Sequence, residues 1–391
     1  MPVSTWKHSL SQVTEVLNMI SDERIEEALK ASGNSDKRER LLTKKRMIIF
    51  LLYMALYPGK PYQEIFSIMG ESEKALFGPM YKVDVPATSS IVEARQRLGV
   101  ETMERLSKAI LGPIASCRGV KGCFFGKWRI LSIDGMVQNV PDTAANAEYF
   151  DRSKSQYGDG AYPQIRCVAL VECGTGAVID YVLSTKKLRS EQALATQLLP
   201  KVDSDDLLLA DRLYCDGYKW KLATERGAKA IFRVRADINL PVEKVLDDGS
   251  YKSHLVQGER KKSSSILHPV RVIKFRIKRR NKSVEVRLIT NLTESQATAQ
   301  EIIDLYRQRW KWEQMAKEFK HTLKERGNLL RSNTPELVKQ EVIAMLTAHH
   351  AVKVLMHASA LRHQVEMSRL SYKHSLAVVN RRLLQVGAFS P

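Results

Sequence analysis

The chain has 391 residues and a mass of 44.4 kDa, long enough for two or three domains and at least one well-buried core. A formal charge of +19 with a pI near 9.6 is extreme for a soluble enzyme of small molecules and implies a polyanionic partner, nucleic acid first. The longest apolar run, residues 47–57, falls far short of the roughly 20 residues a spanning helix needs, which excludes a membrane span.

The N-terminus has no continuous apolar segment followed by a cleavage site. The cysteines, five in number and without a C-x-x-C pair, indicate neither a disulfide framework nor a zinc site, a cytosolic pattern. From residue 11 to about 116, apolar residues recur at three- and four-residue spacing, which predicts a helical domain. Within it a short helix is expected to end at Gly70, and Thr88, Ser89 and Ser90 to cap a segment that stops at Gly99. That geometry suits a helix-turn-helix with Arg95 and Arg97 near bases or phosphates, or equally an ordinary bundle with a solvated charged face. A basic cluster, Lys37, Arg38, Arg40, Lys44, Lys45 and Arg46, either grips phosphates or forms a solvated face.

After Gly126 the pattern switches to short apolar runs with period two: WRILSID, QIRCVALVEC and AVIDYVLS, a three-stranded meander. A helix over residues 190–199 capped by Ser190, the strand DLLLAD, a helix from about Gly217 to Arg226 and the strand AIFRVR follow. The order β-β-β-α-β-α-β is that of the ribonuclease-H-like fold. Asp134 and Asp211 each follow an apolar strand. A buried carboxylate is costly without a metal or cation, so both are candidate ligands; a turn in Asp-Gly and a salt bridge or helix cap are the plainer readings. Between residues 235 and 290 lies a segment rich in Lys and Arg, in which PVRVIKFRIK and SVEVRLIT flank RRNK as an antiparallel hairpin. Arg271, Lys274, Arg276, Lys278, Arg279, Arg280, Lys282 and Arg287 crowd it with charge, which suits phosphate contacts or the lysines of a protected edge.

The stretch YRQRWKWEQMAKEFK then places Tyr306, Arg309, Glu313 and Lys320 at helical spacing, within an arc of roughly 60° at about 100° per residue. Leu305, Trp312, Met315, Phe319 and Leu323 form a neighbouring apolar stripe. A carboxylate between two cations and a phenol suits a metal beside a phosphate chain; a salt-bridged exposed face is the other reading. The histidines at 349, 350, 357 and 363 read as helix-surface residues rather than ligands, in a C-terminal helical region expected to pack on the core.

The Y-x2-R-x3-E-x6-K spacing, IDG at 133–135, ADRLY around Asp211 and the helical stretch RERLLTKKRMIIFLLYMALY resemble the DDE transposases with a YREK signature, the insertion-sequence-four group. The resemblance implies an α/β, ribonuclease-H-like catalytic domain with a β-rich insertion, preceded by a helical DNA-binding domain and followed by C-terminal helices. The corresponding boundaries are 1–120, 121–332 with the insertion at about 236–290, and 333–391. It further implies that Asp134, Asp211 and Glu313 bind two Mg2+ ions, with Mn2+ as a substitute, and that Tyr306, Arg309 and Lys320 hold the DNA end. Lys274, Arg276, Arg279 and Arg280 of the hairpin, with Arg95 and Arg97, complete the expected DNA contacts. The implied reaction is nicking at the inverted repeats of an element, a hairpin intermediate as one route, and joining of 3′-hydroxyls to target DNA by a homodimer in a synaptic complex. Phe275, Tyr251, Trp310 and Trp312 are the aromatic candidates for stacking a flipped base. A cytoplasmic, nucleoid-associated protein of a bacterium or archaeon follows from the same resemblance. A transposase-derived DNA-binding protein without activity, or a ribonuclease-H-like nuclease, are the rival readings.

Overall fold

The computed structural model describes residues 20–34, 41–77, 80, 84–116, 120–156, 158–258, 265–279, 282–309, 318 and 329–386. The chain divides into two compact units: residues 1–114, 137–165 and 316–391 form one, residues 115–136 and 166–315 the other.

The second unit carries the sheet. Its strands are β1 (Phe124–Phe125), β2 (Trp128–Asn139), β4 (Gly158–Glu172), β5 (Val178–Leu183), β6 (Asp206–Ala210), β7 (Lys229–Arg233), β8 (Lys244–Val245), β9 (Tyr251–Gln257), β10 (Ile266–Arg279) and β11 (Lys282–Thr290). Strands β2 and β4 each extend beyond this unit, and β3 (Asp151–Ser155) pairs with the first half of β4. The hydrogen-bonded order is β5-β4-β2-β6-β7-β11-β10-β9-β8. Strands β2, β6 and β7 are parallel, and β4–β5 are antiparallel. The expected order β-β-β-α-β-α-β is therefore present, with the helices Glu191–Leu198 and Gly217–Thr224 at the expected places. Ser190 and Asp216 cap them by accepting from Ala193 N and Lys219 N at 3.2 and 2.8 Å. Strands covered on both faces read as unbroken apolar runs, and Leu207, Leu208, Leu209 and Ala210 are all fully buried.

Each sheet face has its own core. Leu131, Ile133, Leu208 and Phe232 pack with Leu194, Leu198 and Trp220 of the two helices; Ile130, Leu209, Ile231 and Leu288 pack on the other face with Ile302 and Leu305 of the helix Ala299–Gln308. That last helix starts seven residues before the signature tyrosine. Thr298 and Glu301 close it with a capping box, which satisfies two orphan donors at once.

The insertion extends the sheet. Strand β11 pairs with β7 through Leu288↔Arg233 to Thr290↔Ile231, and β10 pairs with β9 on its other side, so the expected hairpin exists but is not an edge. Its charge is also less available than the sequence suggests. Arg271 is buried, bonded to Ser250 Oγ at 2.8 Å, to Ala297 O at 2.6 Å and to the Asp248 carboxylate, and Arg287 donates to the carbonyls of Arg235 and Ala236. Lys274 and Arg276 are exposed, on one face by period two, although Glu285 stands opposite Arg276. Arg279 ends β10 opposite Lys282; Arg280 lies outside the described residues.

In the first unit, helices Lys44–Leu56 and Val100–Ile110 pack on the long helix Pro335–Arg362. Within this unit the long C-terminal helix packs among N-terminal helices, and His349, His350 and His357 are buried rather than on its surface. Helix Tyr62–Phe77 runs through Gly70, whose cost of about 1 kcal/mol the packing of Ile65, Phe66 and Met69 outweighs. The helix Thr88–Leu98 stops at Gly99, φ 73°, as expected, but Ala87 is its N-cap and no side chain caps it.

The expectation that Arg95 meets DNA does not hold. Its guanidinium is fully buried, donating to Tyr62 Oη at 2.5 Å, Leu337 O at 2.8 Å, Ser332 Oγ at 3.1 Å and Gln340 Oε1 at 3.3 Å. Arg97 is exposed. Of the basic cluster, Arg46 is buried against Glu73 at 2.8 Å and Lys45 pairs with Asp22 at 3.0 Å; Lys37, Arg38 and Arg40 lie outside the described residues. Arg95→Ala strands several buried acceptors, and the expected result is a loss of about 2–3 kcal/mol in urea unfolding. An unchanged midpoint would return Arg95 to the surface roles.

Candidate active site

Two carboxylates meet because of a strand register. Strands β2 and β6 pair in parallel from Arg129↔Asp206 to Ile133↔Ala210. The residues that follow this last paired rung are Asp134, within β2, and Asp211, just past the carboxyl end of β6, where open α/β sheets place their ligand crevices. Strand neighbours are about 4.8 Å apart, so two acids lie side by side where a largely apolar ladder, Ile130↔Leu207 to Ile133↔Ala210, ends.

Asp134 accepts from Gly135 N at 2.9 Å and from the Arg309 guanidinium at 3.2 Å. Burial pushes its carboxyl from 3.8 up to about 6; the Gly135 bond and Arg309 oppose the rise, while Glu191 and Asp211 add to it. Asp211 caps the short turn Arg212–Tyr214 through Arg212 N at 2.7 Å, so the capping role considered from sequence is present alongside the pairing with Asp134. It also accepts from Tyr306 Oη at 3.4 Å and faces Arg233 at 3.9 Å.

Tyr306 and Arg309 of the signature therefore touch the acids. Tyr306 and Arg309 are each 5% exposed, and the Arg309 guanidinium stacks over the Tyr306 ring at 5.7 Å. Burial, the largest effect, together with Asp211 raises the Tyr306 hydroxyl well above its ordinary value, against the opposing pull of Arg309, so it is a neutral donor. Arg309 Nε is buried with no partner among the described residues. Glu313 and Lys320, the other two signature positions, and Trp310 and Trp312 lie outside the described residues. Of the other aromatic candidates, Tyr251 is buried under Lys274 and Phe275 packs against a core.

A third acid was not singled out in the sequence. Glu191, in the first turn of its helix, accepts from Tyr214 Oη at 2.6 Å and lies against Gly135, where a Cβ would overlap its carboxyl carbon. In the sequence it reads only as an N-terminal helix acid.

Among the described residues no group of three or more His, Cys, Asp or Glu side chains is arranged to hold a metal ion. The donors present suit a hard cation nonetheless: carboxylate oxygens only, one of them raised by burial and by neighbouring negative charge that a divalent ion would relieve.

Residues 126–350 match the transposase DDE domain family and residues 7–108 the insertion element 4 transposase N-terminal family. The chain belongs to the DDE transposases of the insertion-element-4 group, and it is a DNA transposase, an enzyme of a family that uses divalent metal ions. It is similar to the transposase InsG for insertion sequence element IS4 of Escherichia coli (strain K12), 28% identical over 404 aligned positions covering 100% of this chain and 87% of that protein. Among solved structures, a piggyBac transposase synaptic complex with hairpin DNA aligns with a TM-score of 0.49 at 10% identity, over 96% of this chain and 80% of that one. Among the described residues no helix is long and apolar enough to cross a membrane.

Proposed function

We propose that this transposase binds the terminal inverted repeats of its own element and cleaves them at a site built on Asp134, Asp211 and Glu313. The observation that carries the reading is the parallel pairing of β2 and β6, which ends one residue before both Asp134 and Asp211, with the guanidinium of Arg309 on Asp134. The three acids would hold two Mg2+ ions, or Mn2+ in their place. Bound there, the ions supply Lewis-acid activation of a water or 3′-hydroxyl and stabilisation of the leaving oxygen in an in-line displacement.

The protein's own groups do the rest. Arg309 and Tyr306 sit at the acids, so a phosphate entering beside Asp134 meets a charged fork and a neutral hydroxyl donor. Lys320 is assigned with Tyr306 and Arg309 to the DNA end, and Arg97, Lys274, Arg276, Arg279 and Arg280 to further DNA contacts, which the chain's charge of +19 favours. Joining of freed 3′-hydroxyls to target DNA, within a homodimer that synapses two ends, completes the reaction; a hairpin is one route to those ends. The chain acts in the cytoplasm at the nucleoid, where its substrate is.

The test is Mg2+-dependent cleavage of an end-containing duplex by the native chain and by Glu313→Gln. The native chain is expected to nick at the repeat boundary and the variant to be inert while still shifting the duplex in a gel. A variant that cuts at the native rate removes Glu313 from the metal site.

A further inference from the structure

The site proposed above leaves Glu191 without a role, yet two other elements meet it. Its helix begins at Ser190, directly after the loop that follows β5. Its carboxylate lies against Gly135, the residue after Asp134, so closely that any side chain at 135 would overlap it. Its Oε1 accepts from Tyr214, which is fully buried and closes the turn that Asp211 caps. The order Asp134–Gly135 against Glu191, Glu191 to Tyr214, and Tyr214 back to Asp211 forms a closed link between the two carboxylates.

We propose that Glu191, held by Tyr214, is a positioning residue for the transposition site: it fixes the strand that carries Asp134 relative to the turn that carries Asp211, and its charge strengthens the pair's hold on a divalent cation. The inference rests on the reading of Asp134 and Asp211 as cation ligands. Two properties of the geometry distinguish this role from simple packing. A packing role would be filled by an apolar side chain, whereas here an acid is set next to another acid, an arrangement that opposes folding unless a cation uses it. The hydroxyl of Tyr214 is a neutral donor, so it orients the carboxylate without cancelling its charge.

Glu191→Gln separates charge from shape, because the amide oxygen still accepts from Tyr214. Tyr214→Phe does the converse, freeing a carboxylate that keeps its charge. In a titration of the full-length chain with Mn2+ followed by electron paramagnetic resonance, Glu191→Gln is expected to weaken binding roughly tenfold. The Mn2+ concentration for half-maximal cleavage of an end duplex should rise by a similar factor, with the saturated rate largely regained. Glu191→Asp should recover part of the affinity, and Tyr214→Phe should lose part of it. Native Mn2+ affinity in Glu191→Gln overturns the proposal, as does an affinity loss that Glu191→Asp leaves untouched. Should Glu191→Gln fail to fold, native affinity in Tyr214→Phe overturns it instead. Asp134→Asn, run beside them, separates the two readings: if it too binds Mn2+ like the native chain, the cation site itself is misplaced and this inference falls with it; if it alone loses binding, only the role of Glu191 falls.

Discussion

Asp134→Asn is expected to lower end cleavage by at least about 10³-fold while leaving the protein as stable as the native chain or more so. The loss follows from removing one of the two carboxylates proposed as cation ligands. The gain follows from the burial that raises its carboxyl from 3.8 to about 6. A carboxyl whose folded pKa exceeds its unfolded value opposes folding once ionised: the cost is absent below about pH 4, accrues up to about pH 6 and is complete above it, at ~3 kcal/mol at most. Arg309 loses a partner in the variant, which offsets part of the gain. Thermal melts of the metal-free proteins should therefore coincide near pH 4 and diverge by pH 7 with the variant higher. A variant that melts lower at pH 7 would show that the ion pair with Arg309 outweighs the burial of Asp134.

Arg309→Ala is expected to reduce cleavage by about 10²–10³-fold, and Arg309→Lys to restore little of it. The guanidinium spans Asp134 and the Tyr306 ring from a nearly solvent-free position, with Nε still unused among the described residues. A planar fork can hold a carboxylate and a phosphate together; an ammonium is a point charge on a flexible stem. Single-turnover cleavage and gel-shift titrations of both variants measure this. Native rates in Arg309→Lys would reduce Arg309 to a source of charge.

Much of this site is legible in the sequence because each acid ends an apolar run, and a carboxylate there has few inexpensive explanations. The signature spacing likewise identifies Tyr306 and Arg309 before any fold is known. What the sequence does not carry is register. Nothing in WRILSID or DLLLAD states that Ile133 pairs with Ala210, and that one pairing is what sets Asp134 beside Asp211. Glu191 is hidden for the same reason, since its neighbours come from two distant segments. Arg95 is a different kind of miss. It stands four residues after Ile91 and three before Leu98, on the buried stripe of its helix, so periodicity already pointed it inward; its charge drew the reading outward. The buried histidines of the long helix repeat the lesson, among buried Ala348, Ala351, Val352 and Met356.

The way the insertion joins the sheet bears on what a change in its length disturbs. The chain leaves at β7 and comes back as β11, the strand paired beside it, so the intervening segment closes on the edge of the core. Residues can be gained or lost at the far end of the β10–β11 hairpin, beyond Arg279↔Lys282, without shifting Asp211 or the helix that begins at Ala299. A change of length at that end of the hairpin therefore leaves the β7–β11 register, and with it the strand beside β6, as it is.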